Sequence, residues 1–414
     1  MKIGMISLHP ASEGGVASYT KNLVLNLQKN GIEVTVFAEK VEKAQEPEKH
    51  NSFQINACWR KGIFYPFQIF KNLCAYKDLE VIHIQHEFFL FGNIFAGFLF
   101  PILLVLITLM RKPVIVTLHG VIPLSEINAR FKKENNITGP TIIVKTGLLA
   151  ITKIILVLST AVIVHEKFFK TILCREYKCP KKKIKVISHG IENVEIKISK
   201  EKAKNYIGFK DEKIILFFGY IAKYKGIETL IEAFKILGKK RNNLVLFIVG
   251  GSHPRLRKKV EYKRYVLGLK QSASSSELKK RIFFTGFIPE VKIPLYFAAA
   301  DVVVLPYTTA MSSSGPMAYA IAYERPLLVS NIPSFTSKIK VRESLFEKNN
   351  PKELASKLEK LLVDENLQRT TIQEIKRVKL ENSWSVVGKR TCCLYEKIVK
   401  NYKNHFYGDK KIEP

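Results

Sequence analysis

Two places in this 414-residue chain, each where a predicted strand runs into a predicted helix, carry the residue types best suited to hold an anion. In the first, HPASEGGVASYT, Gly14 and Gly15 let the backbone approach a ligand closely, and the helix that follows presents its free N–H groups. In the second, MSSSGPMAY, Ser313 or Ser314 can cap a helix that opens with Gly315. Pro316 fits its first turn because proline there gives up no hydrogen bond. Phosphate suits both. Each also has a plainer reading, a tight glycine turn in one case and an ordinary capped helix in the other, and neither is a GxGxxG fingerprint.

Metal and redox chemistry have little to build on. Cys58, Cys74, Cys174, Cys179, Cys392 and Cys393 form no CxxC pair and have no histidine at zinc-finger spacing, so they read as reduced thiols. The N-terminus MKIGMISLHP enters a short apolar strand without the h-region of a signal peptide, and a cytoplasmic location is expected. A formal net charge of +31 attracts polyanions. No nucleic-acid-binding motif accompanies it, so nucleic acid is not expected. An anionic membrane surface is the expected partner, met by clusters such as Lys181 to Lys185 and Arg255 to Lys259.

The elements that must position these residues alternate. Short β-branched runs fall at Lys2 to Ser7, Glu33 to Ala38, Glu80 to Ile84, Pro113 to Thr117, Ala161 to Val164 and Ile184 to Ser188. A second series falls at Lys213 to Phe218, Leu244 to Val249, Arg281 to Thr285, Asp301 to Leu305 and Pro326 to Ser330. Helical spacing separates most of them, as at Val16, Tyr19, Leu23 and Leu27 before the stop at Gly31. The fold class is therefore α/β with two doubly wound, Rossmann-like domains, residues 1–192 and 203–384, whose strand ends are expected to face one interdomain cleft. The run from Phe88 to Met110 carries no charge and by length alone could span a bilayer. Strands on both sides of it look like members of one sheet, which favours a buried or interfacial helix.

The ordered series EGGVASYT, VIHIQHE, VTLHG, VISHGIE, FFGYIAKYKGIETLIEAF, FIVGG, FFTGFIP and ADVVVLPY resembles glycosyltransferase family 4, retaining enzymes of the GT-B type. The similarity runs from residue 1 to about 335, and Trp384 with the helix after it, about 385–405, resembles the segment that completes the N-terminal domain in that family. The resemblance implies a sugar transfer from a nucleotide diphosphate sugar to a lipid-linked or saccharide acceptor, without metal or cofactor. It implies that Gly14 and Gly15 face the donor phosphates, that Lys225 neutralises the diphosphate, and that His119 contacts the transferred sugar. Gly250, Gly251, Phe287 and Ile288 would border the nucleotide, and Ser313, Ser314 and Gly315 the phosphates. His86 and Glu87 would lie on the acceptor side.

Two positions depart from the family. Where it carries a pair of glutamates, the second holding the donor ribose, this chain has Met311 and Tyr319. The basic partner that precedes the lysine is represented only by Lys223. These changes leave open a catalytically silent GT-B protein that binds nucleotide, lipid or a partner enzyme. An oxidoreductase lacks its fingerprint in either half.

Overall fold

The computed structural model describes residues 1–12, 14–41, 53–135, 137–253, 256–274, 277–309 and 313–407. The chain forms two compact units, the first containing Met1–Gly190 and the helix from Trp384, the second Ile191–Ala310 and Ser314–Ser383. Strands of the first are β1 (Lys2–Ser7), β2 (Glu33–Glu39), β3 (Gln54–Trp59), β4 (Val81–His86), β5 (Val114–Leu118), β6 (Ala161–Val164) and β7 (Ile184–Val186). Those of the second are β8 (Lys213–Phe218), β9 (Leu244–Val249), β10 (Ile282–Gly286), β11 (Val302–Leu305), β12 (Leu327–Ser330) and β13 (Leu345–Phe346). The helices of the first unit are α1 (Gly15–Gln28), α2 (Tyr65–Leu73), α3 (Ile94–Phe98), α4 (Phe100–Thr108), α5 (Ala129–Asn135), α6 (Thr141–Leu158) and α7 (Lys167–Arg175). The second unit has α8 (Lys200–Tyr206), α9 (Ile227–Gly238), α10 (Val260–Ser274), α11 (Ile293–Ala299), α12 (Gly315–Ala322), α13 (Pro333–Thr336), α14 (Pro351–Val363) and α15 (Glu365–Glu381). Helix α16 (Trp384–Tyr407) returns to the first unit.

The sheets are ordered β3-β2-β1-β4-β5-β6-β7 and β10-β9-β8-β11-β12-β13, and every strand pair in both is parallel. Each order reverses once, between β1 and β4 and between β8 and β11, which makes both units doubly wound. The period of two explains the layers of the first unit. Ile3, Met5, Val34, Val36, Ile115 and Ile163 meet Tyr19, Leu23 and Leu27 of α1 and Trp384, Val387 and Tyr395 of α16. Their neighbours Ile6, Phe37, Ile84, Val116 and Val164 meet Ile69 of α2, Leu103 and Ile107 of α4, and Ile155 of α6 on the other face. Helix α16 is thus half of one covering layer.

The run from Phe88 to Met110 is not one helix. A turn with Phe89 at φ 68° precedes α3, and α4 follows after Leu99. Phe100, Leu103, Leu104 and Ile107 of α4 are buried, while Ile102, Val105 and Leu109 are exposed. The described helix that is long and apolar enough to cross a membrane is α6, 33% buried.

In the second unit one carboxylate ties the entry of the sheet together. Asp301, just before β11, accepts the Ile214 N–H at 2.8 Å and lies 2.6 Å from Lys200 Nζ and 3.1 Å from Lys204 Nζ. Burial raises its pKa, but the Lys200 charge and hydrogen bond, the Ile214 amide and Lys204 outweigh that and hold it below the ordinary carboxylate value. Asp301→Asn leaves the buried Lys204 ammonium without its anion, and we expect it to cost about 3 kcal/mol. Urea unfolding at pH 7 measures this, and a loss near zero would mean that the lysines relax into solvent.

Candidate functional site

In the second unit the ends of β8, β9, β10 and β11 gather around glycines. Gly219 follows β8 with its N–H on the Val249 carbonyl, and Gly250 follows β9 with its N–H on the Gly286 carbonyl. A Cβ at Gly250 would sit 2.0 Å from the Gly219 carbonyl oxygen, so only glycine allows these two turns to touch. Gly251 packs closely on Phe287, whose ring is exposed, and Ile288 beside it packs on the core.

Lys225 lies in the turn before α9, where Gly226 takes the left-handed conformation at φ 61°. Its side chain is 4% exposed, and among the described residues no carboxylate pairs with it. The ammonium lies 5.0 Å from the centre of the Tyr307 ring. Burial pulls its pKa down, opposed weakly by Tyr224. A Cβ at Gly219 would meet Lys225 Nζ at 2.7 Å and Pro316 Cγ at 2.8 Å, so the ammonium and the first turn of α12 converge on one point. Ser314 is the N-cap of α12 and accepts the Met317 N–H at 3.2 Å. Pro316 has no N–H, so Gly315 is the first-turn residue before it with an amide to offer. Ser313 directly precedes the cap. Lys223 is exposed instead, with Nζ over the Tyr265 ring at 5.8 Å. Tyr319 stacks among Phe218, Phe297 and Tyr323, and burial pushes its hydroxyl up to about 12. That is an aromatic packing role at the position where the resembled family carries its ribose-binding glutamate; Met311 lies outside the described residues.

In the first unit the strand ends bring histidines together. Gly14, at φ 130°, caps α1 without a side-chain bond, and a Cβ at Gly14 or Gly15 would meet open space. His119 follows β5, with its N–H on the His86 carbonyl at 2.9 Å, and its ring packs edge-on against Tyr19 of α1. Glu87 follows His86 at the end of β4. Sequence reasoning missed the partners. His119 Nδ1 is 3.3 Å from His165 Nε2, His165 Nδ1 is 2.9 Å from the Ile187 carbonyl, and His119 Nε2 is 2.9 Å from Oε1 of Gln85. His83 meets Thr117 Oγ1 at 2.7 Å and the Tyr395 hydroxyl at 2.5 Å.

Two proton patterns satisfy this chain. His165 must donate from Nδ1 to the Ile187 carbonyl. With Gln85 Oε1 on His119, His119 spends its proton there, and a hydrogen bond across the 3.3 Å to His165 needs a second proton on one of the two rings. With the amide turned over, every ring is neutral: Tyr395 donates to His83, His83 to Thr117 and Gln85, Gln85 to His119, and His119 to His165. The burial of His165 and its neighbours favours the neutral pattern. In that pattern His119 carries its proton on Nδ1. Burial, and then the neighbouring His165 and His189, keep its pKa well below the ordinary value. Burial likewise lowers His83 to about 3 and His86 to about 4. Among the described residues no three His, Cys, Asp or Glu side chains form a metal-ligand set.

The sign of the pH dependence follows. These histidines bind protons more weakly folded than unfolded, so their contribution is complete above about pH 6.5 and is lost as pH falls toward the folded values. We expect each of His83, His86 and His119 to remove up to about 1.4 kcal/mol of stability per pH unit below pH 6.5. Urea midpoints between pH 8 and pH 5 check this; a flat profile would show that the rings are already charged or exposed.

Comparison with known proteins covers both units. The model for "Glycosyl transferases group 1" matches residues 199–378, and that for "Glycosyltransferase Family 4" matches residues 13–193. An uncharacterized glycosyltransferase of Methanocaldococcus jannaschii is 31% identical over 249 residues, 58% of this chain and 60% of that protein, so the match spans less than two thirds of the relative. A second from the same organism is 23% identical over 93% of this chain and 95% of its own. The crystal structure of Anabaena HepE in complex with UDP and glucose shares the fold, with a TM-score of 0.71 at 16% identity over 96% of this chain and 100% of that one.

Proposed function

The chain belongs to glycosyltransferase family 4, the group 1 glycosyltransferases, and on that footing we propose that it transfers a sugar from a nucleotide diphosphate sugar to a lipid-linked or saccharide acceptor with retention of configuration. The observation that carries this reading is the buried Lys225 ammonium, which has no carboxylate among the described residues and lies beside Gly219, as does the Pro316 ring in the first turn of α12. A buried cation without an anion is costly, and a diphosphate supplies the missing charge. The UDP complex of the HepE neighbour supports a nucleotide donor of this kind.

In this reaction the bond from the anomeric carbon to the diphosphate oxygen breaks, with its electron pair going to the diphosphate. The acceptor oxygen bonds to the same face of that carbon, and its proton passes to the departing diphosphate oxygen. Lys225 and the Gly315 amide stabilise the charge as it grows, which lowers the barrier more than it lowers the ground state. Gly14 and Gly15 leave room for the phosphates, Gly250, Gly251, Phe287 and Ile288 border the nucleotide, and neutral His119 donates or accepts hydrogen bonds at the sugar without adding a charge. No metal or cofactor enters these steps. Lys225→Ala should weaken UDP binding about 30-fold, or about 2 kcal/mol, and leave uridine binding unchanged. Calorimetry with both ligands decides it, equal losses meaning a structural lysine.

Tyr319 in its aromatic stack favours one second reading, a catalytically silent protein of this fold that binds nucleotide, lipid or a partner. Labelled UDP, GDP and ADP sugars at millimolar concentration, supplied with membrane lipid extract, separate the two. We expect transfer, with kcat at least tenfold lower in His119→Ala. Nucleotide binding without transfer or hydrolysis of any donor would establish the silent protein.

The place of work is the cytoplasmic face of an anionic membrane. The +31 charge supports this, as do the apolar side chains Phe64, Phe67, Phe95, Ile142, Ile143 and Val157, exposed on α3, α6 and the start of α2. The protein should float with anionic liposomes at low salt and be released at high salt. No flotation at low salt would remove the idea.

A further inference from the structure

Tyr307 is a buried titratable group of the second unit that the proposed chemistry does not use. It follows β11, one residue after Pro306, and is 3% exposed. Burial pushes its hydroxyl above the ordinary phenol range, so it stays neutral at working pH. Three elements fix it. Its carbonyl accepts the Ser330 hydroxyl at the end of β12, and its ring packs on Phe335 of α13, 5.1 Å between centres. Toward the Lys225 turn, the Tyr224 ring stands across it at 89° with 5.7 Å between centres. The next residue, Thr308, donates both its N–H and its hydroxyl to the Tyr224 carbonyl. On the other side of Tyr307, a Cβ at Gly226 would meet the Pro306 carbonyl oxygen at 2.0 Å. The end of β11 and the turn that carries Lys225 are thus pinned together by the residues before and after this tyrosine.

The Lys225 ammonium lies between the two rings, 5.0 Å from the centre of Tyr307 and 5.8 Å from that of Tyr224. At such distances the negative face of an aromatic ring attracts a cation. That attraction stands where a buried ammonium would ordinarily have a carboxylate, and the difference matters for an anion site. A carboxylate would cancel the lysine charge and repel a second anion. A ring has no net charge, so it steadies the ammonium and leaves its full charge for a ligand. The hydroxyl of the same tyrosine reaches the next element. It accepts the Ser314 hydroxyl at 3.2 Å, while Ser314 Oγ accepts the Met317 N–H of α12. Ser314 has one proton, and it goes to Tyr307, so the serine is held as the helix cap.

We propose that Tyr307 is the positioning residue of the anion site: its ring holds the Lys225 ammonium in place for a diphosphate, and its hydroxyl anchors the cap of α12. The inference rests on the diphosphate reading of this site, which supplies the ligand. Tyr307 acts through Lys225 and touches no reacting atom. Without the ring the ammonium loses its proton or turns away, and apparent affinity falls in proportion to the fraction of molecules still ready to bind.

Calorimetry of UDP and of uridine on the full chain tests this. Tyr307→Leu removes the ring face and should weaken UDP about tenfold, or about 1.4 kcal/mol, with unchanged uridine binding reporting an intact fold. Tyr307→Met fills more of the vacated space, also without an aromatic face, and should lose as much; it decides the matter if the leucine variant folds poorly. Tyr307→Phe keeps the ring and loses only the bond to Ser314, so UDP binding should stay within about threefold of the parent. The decisive comparison is the double variant. In a Lys225→Ala background there is no ammonium to hold, and Tyr307→Leu should change UDP affinity by less than about twofold. A full loss in that background, or an equal loss in Tyr307→Phe, makes Tyr307 a packing residue and overturns the inference. So does UDP binding that Lys225→Ala weakens and that Tyr307→Leu and Tyr307→Met leave alone, a result that keeps the diphosphate reading. UDP binding indifferent to Lys225→Ala sinks that reading, and this inference with it.

Discussion

A parallel strand cannot return to its neighbour through a tight turn, so every link between adjacent strands in these two sheets must cross over a face and re-enter from the same end. That requirement places the starts of the following helices, and the turns before them, together at the carboxyl edge of each sheet. Gly14 and Gly15, His86, His119, His165 and His189 all end or follow strands of the first sheet or open its first helix. Gly219, Lys225, Gly250, Phe287 and the start of α12 do so in the second. Residues scattered over hundreds of positions become neighbours because one pairing rule gathers the same kind of segment repeatedly.

The two edges handle charge in opposite ways. At the second sheet a single ammonium is buried against aromatic rings and glycine turns with no carboxylate beside it among the described residues, so this edge carries an uncompensated positive charge. At the first sheet five imidazole, amide and phenol groups satisfy one another in sequence, and neutrality is kept by hydrogen bonds alone. An uncompensated positive charge of this kind attracts anions. The second arrangement fixes the orientation of each ring through its neighbours.

Much of this was legible from residue order. The β-branched runs located eleven of the thirteen described strands to within a residue or two. The exceptions have physical reasons. β3, QINACW, is an edge strand broken by the polar Gln54 and Asn56, and β13 has only two residues, so neither produces a hydrophobic run. The uncharged stretch from Phe88 to Met110 signalled apolar surroundings correctly but not its break into two helices, since nothing in a uniformly apolar run marks where a turn falls. The histidine chain was the least legible part. His83 is satisfied by Tyr395, more than three hundred positions away, and no local pattern announces a hydrogen bond that only tertiary packing creates. Tyr319 could be read as a departure, whereas its edge contact with Phe218 and its stacking on Phe297 became visible only with the sheet and helices in place.

Helix α16 gives the order of synthesis a structural meaning. Residues 384–407 leave the ribosome after Ile191–Ser383, yet they supply the side chains that cover the sheet beside α1. The first half of the chain to be made is thus the last to acquire its full core. Until then Ile3, Met5, Val36, Ile115 and Ile163 have only α1 over them, and His83 lacks the phenol that fixes its proton. Meanwhile the intervening unit, whose core draws only on residues 191–378, can close by itself. Such a delay leaves an apolar face open during translation, a state that invites chaperone binding and makes the newborn protein more fragile than the finished one.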